Sequence, residues 1–359
     1  MSNPSRGLLA RVAAARAHLF ASATGAGRRR LLIQGVGILI SLGLLTWTIT
    51  GVLKPENRPK LDSVLHAPPA SLALLIGLSL ISLFCNGATF WLSLCAVRPV
   101  PFWGTQAANA IASFLGYLPF KLSLISRLII HNRRDGVPVI ALGAWLAANA
   151  LLVLGILACI TLARLWRGSV DVAFGAVAFG MLLTFGVTLC VASRLFAGEP
   201  GRARYRALAG RLGLLGRLML KPAFGHLLAG FDILAQPRVV AGVIIVRLLD
   251  IAAQTGRFVV AAQLINVPLS WSNALLPAIA FFVIGAGSPA GAVGGREGGT
   301  SGIAALLHLE SVVSLGDFKI ITLVVSGSEI LLYTAVAIAS TLYVRPDKLA
   351  LTPAPSASP

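Results

Sequence analysis

Long runs of apolar residues, separated by short polar segments, occupy the chain from residue 31 to residue 343. A transmembrane helix needs about 20 consecutive apolar residues to cross a hydrocarbon core of about 30 Å. Runs of that length predict six full spans. They cover residues 31–53, 71–97, 138–163, 172–193, 239–266 and 319–343.

Three further apolar stretches are too short, or too interrupted by glycine, to cross a membrane easily. They cover residues 104–120, 272–287 and 298–315. Their length is that of a half-membrane segment, which is tolerated where the irregular backbone is buried in protein. The pattern therefore predicts an all-α polytopic membrane protein, with re-entrant half-helices around a central cavity. Such elements in separate halves of the chain also hint at a distant internal duplication.

The composition excludes a soluble catalytic domain. The chain is 57% hydrophobic and only 12% charged, whereas about 25% of the residues in a soluble domain are charged. No long polar block remains to fold separately. The four cysteines lie inside apolar runs, and the histidines form no metal-binding pair, so we expect no metal, cofactor or disulfide.

The formal net charge of +18 could indicate nucleic acid, but in a membrane protein Arg and Lys collect on the cytoplasmic side. The predicted spans place 21 Arg and Lys residues on one side and six on the other. This asymmetry predicts a multi-pass protein of a bacterial inner membrane with both termini cytoplasmic. A nucleic-acid partner is not expected.

The same layout divides the chain into three parts. Residues 1–30 form a basic cytoplasmic segment, residues 31–343 form the membrane domain, and residues 344–359 form a disordered tail rich in Pro, Ala and Ser. Within the membrane domain, the basic and apolar pattern of residues 194–238 predicts an amphipathic helix on the inner leaflet. This helix would either recruit anionic lipid or only fix the topology.

A glycine-rich stretch lies between two of the half-length segments, and seven of residues 285–299 are glycine. Glycine lets backbone amides approach a ligand, and a helix beginning near Gly298 would direct its positive dipole end at an anion. A charge isolated here would cost at least about 2.5–3.5 kcal/mol. The candidate substrate-binding residues in this stretch are Gly291, Gly294, Gly295, Arg296 and Glu297. The alternative is a hairpin turn in which Arg296 and Glu297 pair with each other.

A polar stripe follows one arc of the fifth predicted span. It consists of Arg247, Asp250, Gln254 and Arg257. Asp250 lies near the middle of the span and must be paired, with Arg247 as the local candidate. The stripe would line a water-filled cavity or a protein interface, and its excess of positive charge favours the cavity. Glu329, in the sixth span, is expected to pair with one of the arginines.

Arg127 is the remaining candidate. Pro119 ends a short predicted helix, and Arg127 lies one or two turns into the next segment. Its planar guanidinium could bind a phosphate. A role as one more cytoplasmic topology charge is an equally open interpretation.

Two motifs resemble those of the transmembrane, flippase-like region of lysylphosphatidylglycerol synthase, the multiple peptide resistance factor. The late family motif is Pro-x-Pro-Gly-Gly-x-Gly-x-x-Glu; aligned on Glu297, it matches Gly294 and Gly291 but has alanine at positions 292 and 290. In the early motif, Pro119 and Arg127 match, while serine and leucine at positions 123 and 124 replace a Gly-Glu pair. The resemblance covers residues 31–343.

This resemblance implies a helical membrane fold whose re-entrant segments meet in a central cavity. It also implies movement of a lipid between leaflets, whereas the soluble aminoacyl-transferase half of the synthase is not part of this sequence. We therefore expect a flippase-like transporter or binder of an anionic phospholipid or a polyprenyl-phosphate-linked lipid. It would not be an enzyme, and the sequence contains no motif for ATP.

Two alternatives stay open. One is a membrane-embedded transferase that acts on a lipid-linked sugar, with a catalytic acid among Glu56, Asp62, Asp171 and Asp317 in the outer loops. The other is a non-catalytic subunit of a lipid-modifying enzyme. The expected partner is a membrane lipid, with a second copy of the chain or such an enzyme as further candidates.

Overall fold

The computed structural model describes residues 25–118, 121–211, 229–288, 292–307 and 313–345, and every regular element in these residues is helical. The helices are α1 (Gly25–Val52), α2 (Arg58–Leu65), α3 (Pro69–Cys95), α4 (Phe102–Leu115), α5 (Leu122–Arg133), α6 (Val139–Arg167), α7 (Val172–Phe196), α8 (Gly198–Arg211), α9 (Ala229–Leu234), α10 (Pro237–Leu264), α11 (Trp271–Gly287), α12 (Gly295–Leu306) and α13 (Leu315–Val344). A 3₁₀ turn, Pro55–Asn57, precedes α2.

Five of the described helices, α3, α6, α7, α10 and α13, are long and apolar enough to cross a membrane. They match five of the six predicted spans and confirm an all-α, multi-pass membrane protein. The first predicted span, residues 31–53, lies on α1, which is helical from Gly25 to Val52. The basic cluster 28–30 belongs to the same helix.

Proline and capping residues account for several helix boundaries. Pro69 and Pro237 occupy first-turn positions of α3 and α10, where a missing N–H costs nothing. The Asp171 carboxylate caps α7 by accepting the Phe174 N–H at 2.7 Å. This hydrogen bond, and secondarily the Arg167 guanidinium, lower the pKa of the exposed Asp171 carboxyl.

The short helices α4 and α5 form a hairpin that enters and leaves on one face of the molecule. At its base, Ala108 and Ile130 pack with Val344, the last residue of α13. At its tip, Tyr117 packs against Tyr333, closer to the middle of α13. We call the side that carries the C-terminus of α13 the Val344 face, and the opposite side the Leu315 face.

The short helices α11 and α12 form a second hairpin, which enters and leaves on the Leu315 face. Ala274 near the start of α11 and Ala304 near the end of α12 share an apolar cluster with Phe318, in the first turn of α13. The predicted half-length segments 104–120, 272–287 and 298–315 correspond, within the described residues, to α4, α11 and α12, and α5 is a fourth short helix that was not predicted. Each hairpin inserts from one side only, as expected for re-entrant elements.

The two hairpin tips meet. The Ala292 N–H donates to the Gly116 carbonyl at 3.0 Å, and Lys121 Nζ donates to the Gly287 carbonyl at the C-terminus of α11 at 3.1 Å. Lys121 adopts a left-handed conformation, φ 54°, where the chain turns into α5. The hairpins thus approach each other from opposite faces and join inside the helix bundle.

The order of helices is repeated in the two halves. A long helix, two short helices and a long helix occur as α3–α6 and again as α10–α13, with α7 to α9 between them. Ser82 near the middle of α3 contacts Asp250 near the middle of α10. The two helices run antiparallel, because Gly242 near the start of α10 lies against Leu92 near the end of α3, whereas Gly256 lies against Leu78. The second set is therefore inverted relative to the first, which agrees with the predicted duplication.

The prediction for residues 194–238 is only partly covered by the described structure. Short helices α8 and α9 occur at its two ends, and residues 212–228 lie outside the described residues. The same holds for residues 1–24 and for the tail beyond residue 345.

Candidate functional site

Charged side chains gather at the middle of the long helices, where the hairpin tips meet. Asp250 is the fourteenth residue of 28 in α10, and Glu329 is the fifteenth of 30 in α13. Together with Arg247 and Arg257, these side chains are between 0 and 2% exposed. Because an unpaired buried charge is costly, the partners of each group decide whether it is structural or available to a ligand.

The predicted pair of Arg247 and Asp250 is confirmed. Arg247 Nη1 lies 2.5 Å from Asp250 Oδ2. The Ser82 hydroxyl donates to the other carboxylate oxygen at 2.5 Å, and the Gln254 amide donates to Oδ2 at 2.9 Å. The Phe282 ring covers the Arg247 guanidinium, with its centroid 3.8 Å from Cζ. One cation therefore faces one anion in a packed setting.

Two guanidiniums and two phenol hydroxyls surround the Glu329 carboxylate. Its Oε1 lies 3.0 Å from Arg257 Nη1 and accepts the Tyr333 hydroxyl at 2.9 Å. Its Oε2 accepts from Arg296 Nη1 at 2.7 Å and from the Tyr117 hydroxyl at 2.9 Å. The expectation that an arginine pairs with Glu329 is confirmed, but two arginines share this single carboxylate. We call Arg257, Arg296, Glu329, Tyr117 and Tyr333 the Glu329 cluster.

The arginines of this layer retain unused donors. Nε of Arg257 and Nε of Arg296 are buried and make no hydrogen bond to the described residues, and the same is true of Nε and Nη2 of Arg247. A buried N–H without a partner costs about 1–3 kcal/mol. A phosphate oxygen is a good partner, since the planar guanidinium can donate two parallel hydrogen bonds to it.

Arg296 is the most accessible arginine of the Glu329 cluster. Its side chain is 12% exposed, against 1% for Arg257. Gly285 makes room for it, since a Cβ at that position would lie 2.0 Å from Arg296 Nε. The Phe281 ring lies on the guanidinium with its centroid 4.4 Å from Cζ. Arg296 is thus positioned by α11 and joined through Glu329 to α13.

The glycine-rich turn differs from the prediction. Helix α12 begins at Gly295, not near Gly298. Glu297 folds back so that its Oε2 accepts the Gly294 N–H at 2.6 Å, while Oε1 accepts the Ser326 hydroxyl at 2.5 Å. The Gly294 amide, which we expected to face an anion, is therefore bound by a carboxylate of the chain itself, in the arrangement of a capping box. Pairing of Arg296 with Glu297, the alternative, is wrong because Arg296 pairs with Glu329.

The glycines of this turn serve helix packing. Gly294 has φ +80°, and a Cβ there would lie 1.8 Å from the Ser41 carbonyl oxygen of α1. A Cβ at Gly298 would lie 2.8 Å from Leu44 Cβ. At Gly295, the nearest atom would be at an ordinary contact distance of 3.5 Å. Gly291 lies outside the described residues.

Arg127 occupies a separate position on α5. It is 8% exposed, and its Nη2 donates to Asn109 Oδ1 at 2.7 Å. The Phe90 ring centroid lies 3.7 Å from its Cζ. Within the described part of the chain, no carboxylate oxygen lies within 4.0 Å of this guanidinium. Arg127 is therefore a buried cation held by an amide and an aromatic ring.

The polar stripe of α10 forms a protein interface in this conformation, not the wall of an open cavity. Arg247 and Asp250 face α3 and α11, and Arg257 faces α13. The expected cavity fails here because partners on neighbouring helices fill the space around each charge. A groove of about 360 Å³ lies elsewhere, between α7 and α10, with Gly186 and Ile244 in its wall and Arg194 at one end.

Several hydroxyl groups at this site were missed by sequence reasoning. Ser82, Ser326 and Tyr117 bind carboxylates that lie far away in the chain, so no local pattern indicates them. Tyr333 could have been found, because it follows Glu329 by four residues and lies on the same helix face.

The acids proposed for a transferase are engaged or exposed on the Leu315 side. Asp317 contacts Lys60, and its N–H donates to the Ser314 hydroxyl at the start of α13. Asp171 caps α7, and Glu56 lies 3.7 Å from Lys54. In the described part of the chain, no three His, Cys, Asp or Glu side chains are grouped to hold a metal ion.

Searches against protein-family models, curated proteins and solved structures find no significant match to this chain. The buried charges and the two opposed hairpins are therefore the basis for assigning a function.

Proposed function

We propose that this chain is a flippase-like transporter of a bacterial inner membrane. It would move an anionic phospholipid or a polyprenyl-phosphate-linked lipid between leaflets without ATP. The observation that carries this proposal is the Glu329 cluster, in which Arg257 and Arg296 share one carboxylate at the point where the hairpin tips meet.

The architecture supports transport. Many secondary transporters consist of inverted repeats, and their substrate sites lie near the bilayer midplane between broken helices. The sets α3–α6 and α10–α13 have that inverted order, and their short helices end at the level of Glu329. Because the two hairpins open to opposite faces, each could give a lipid headgroup access to the central site from one side of the membrane.

The electrostatics suggest how an anion would bind. While the site is empty, Glu329 holds both arginines in place, and the two tyrosines orient the carboxylate. A lipid phosphate would approach Arg296, whose side chain is 12% exposed against 1% for Arg257. Each guanidinium has five N–H donors, so both arginines can donate hydrogen bonds to Glu329 and to the phosphate at the same time.

The orientation follows from the positive-inside rule. The loops on the Val344 face carry most of the basic residues, among them Arg98, Arg133, Arg134 and Arg194, and would be cytoplasmic. The hairpin α4–α5 then opens to the cytoplasm. The resemblance to the flippase-like region of lysylphosphatidylglycerol synthase adds support for lipid as the substrate.

The test is leaflet exchange of labelled phosphatidylglycerol in liposomes that contain the purified protein. Arg296→Gln should lower the exchange rate by about tenfold or more, since a charge-assisted hydrogen bond contributes about 1.5–3 kcal/mol. Arg296→Lys should keep part of the rate, because an ammonium retains the charge but not the paired donors.

Arg194→Gln is the matched control. It also removes one arginine, but from the exposed end of α7, and should leave exchange unchanged. Size-exclusion profiles confirm that each variant is folded. Exchange at the wild-type rate by folded Arg296→Gln would exclude the Glu329 cluster as the lipid site.

A further inference from the structure

A groove on the outer surface of the helix bundle lies away from the Glu329 cluster. It has a volume of about 360 Å³ and lies between α7 and α10, with Gly186 and Ile244 in its wall. On the α7 side it is bordered by Leu183, Val187 and Val191, each of which is more than half exposed. Exposed apolar side chains of a membrane-spanning helix face lipid tails, so the groove opens toward the bilayer.

The groove covers the half of the membrane on the Val344 face. It borders the first eight residues of α10. Helix α10 begins on that face, since Gly242 lies against Leu92 at the end of α3, which leads into the hairpin α4–α5. Along α7 the groove runs from Leu182 to Arg194, about 18 Å at 1.5 Å per residue. Half of a hydrocarbon core is about 15 Å thick, so the groove has the length of one acyl chain in a single leaflet.

Arginine side chains lie at the Val344 end of the groove. Arg194 is in the last turn of α7 and borders the groove, and Arg238 is the second residue of α10. Both are exposed, and no carboxylate oxygen of the described residues lies within 4.0 Å of either guanidinium. Arg202, on the α8 helix that follows, instead pairs with Glu199 and Asp232. The groove therefore ends, at the level of the lipid headgroups, in positive charge that is available to an anion.

The apolar wall by itself cannot select one lipid over another. Lipid tails are as apolar as leucine, so a tail gains little when it leaves its neighbours for the groove. The headgroup decides instead, because hydrogen bonds between a guanidinium and a phosphate are about twice as strong as those between neutral groups. A zwitterionic headgroup also brings an ammonium that the two arginines repel, which favours a lipid with net negative charge.

We propose that the groove holds one anionic phospholipid of the leaflet on the Val344 face as a resident lipid. One acyl chain lies along α7, and the phosphate accepts hydrogen bonds from Arg194. Because the groove covers a single leaflet, this lipid does not cross the membrane, and its site does not depend on the proposed transport function.

The packing of α7 indicates what the resident lipid does. Of the five described helices that can cross a membrane, α7 is the least buried, with 22% of its apolar window inside the protein against 44% to 50% for the others. A lipid that contacts both walls of the groove therefore stabilises the packing of α7 against α10.

The experiment counts lipids bound to the full-length, delipidated protein by native mass spectrometry. Phosphatidylglycerol and phosphatidylcholine with the same acyl chains are compared, with and without Arg296→Gln, so that a lipid at the Glu329 cluster is distinguished from the groove lipid. The Arg296→Gln protein should still bind one phosphatidylglycerol, about tenfold more tightly than phosphatidylcholine.

Two further substitutions test the groove itself. Arg194→Gln should weaken the binding of this phosphatidylglycerol by about tenfold and remove the preference. Ala241→Phe fills the groove from an exposed position in its α10 wall and should weaken the binding of both lipids. Phosphatidylglycerol should also raise the melting temperature of Arg296→Gln protein more than that of the same protein with Ala241→Phe.

The matched controls are Arg204→Gln and Ala176→Phe. The first removes an exposed arginine of α8, and the second adds a ring to the exposed surface of α7 outside the groove. Both should bind phosphatidylglycerol as the wild type does.

Three results would overturn the proposal. They are equal affinity for the two lipids, binding that Arg194→Gln and Ala241→Phe leave unchanged, and a dimer that Ala241→Phe converts to monomers without loss of lipid, which would assign the groove to a second copy of the chain. The transport proposal is tested apart from this one. Groove binding in a protein that exchanges no lipid supports the resident lipid and contradicts transport, and exchange without a groove lipid has the opposite meaning.

Discussion

The Arg247–Asp250 pair and the Glu329 cluster lie at similar depth in the helix bundle but differ in charge balance. In the pair, one guanidinium faces one carboxylate, which is further held by Ser82 and Gln254. In the cluster, two guanidiniums face one carboxylate, and both remaining partners of Glu329 are phenols.

This difference separates a structural ion pair from a binding site. Removing one partner of a balanced buried pair leaves an isolated charge, and nothing in the surroundings replaces it. An unbalanced cluster can instead receive an external anion. The pair also joins two long helices, α3 and α10, whereas the cluster joins α10 and α13 to both hairpin tips.

The largest expected effect comes from removing each carboxylate in turn. Asp250→Ala and Glu329→Ala should each lower the free energy of unfolding by about 3–5 kcal/mol, since each leaves buried arginine unpaired. Unfolding in detergent, followed by tryptophan fluorescence, measures the loss. Added phosphatidylglycerol should restore stability to Glu329→Ala but not to Asp250→Ala.

The control for this comparison is the double substitution of Arg247 and Asp250 by Ala. It removes both charges of the pair and should recover part of the stability lost in Asp250→Ala. Equal rescue of both single variants by the lipid would show that the two groups do not differ in function.

A second, smaller effect concerns the support of Arg296. Gly294→Ala should lower the free energy of unfolding by about 2–4 kcal/mol, because the new Cβ is strained at φ +80° and overlaps the Ser41 carbonyl. The displaced α1 would also shift the start of α12, so exchange should fall together with stability. Differential scanning fluorimetry and the exchange assay test this expectation.

Gly302→Ala is the matched control in the same helix. A Cβ at Gly302 meets no atom within 4 Å, so this variant should be neutral or more stable by up to about 1 kcal/mol. If Gly294→Ala were as stable as Gly302→Ala, the contact between α1 and the turn would not matter for the fold.

Much of the fold could be predicted from the sequence. Hydrophobic length alone located the long helices α3, α6, α7, α10 and α13 and the short helices α4, α11 and α12, but not α5. Local spacing was sufficient for the pair of Arg247 and Asp250, because residues three apart meet on one helix face. The free-energy cost of an unpaired charge within the membrane was sufficient to predict that an arginine pairs with Glu329.

The rest depends on contacts between distant segments. The need for glycine at position 294 comes from Ser41, on a helix that is more than 250 residues away in the chain. A glycine required for close helix packing and a glycine required for ligand access have the same sequence pattern. For the same reason, neighbouring helices that fill the space beside α10 could not be foreseen from its polar stripe.

The smallest expected effect concerns the two phenols of the Glu329 cluster. Tyr333→Phe should lower the free energy of unfolding by about 1.5 kcal/mol, the contribution of one hydrogen bond to a charged group, because Glu329 keeps both arginines. Tyr117→Phe should change exchange more than Tyr333→Phe does. Tyr117 lies at the tip of α4–α5 and also accepts from Arg296 Nη1 at 3.3 Å, so it connects the first hairpin to the second. Paired measurements of unfolding and exchange distinguish these roles, and equal exchange rates for the two variants would show that contact between the hairpin tips does not control lipid movement.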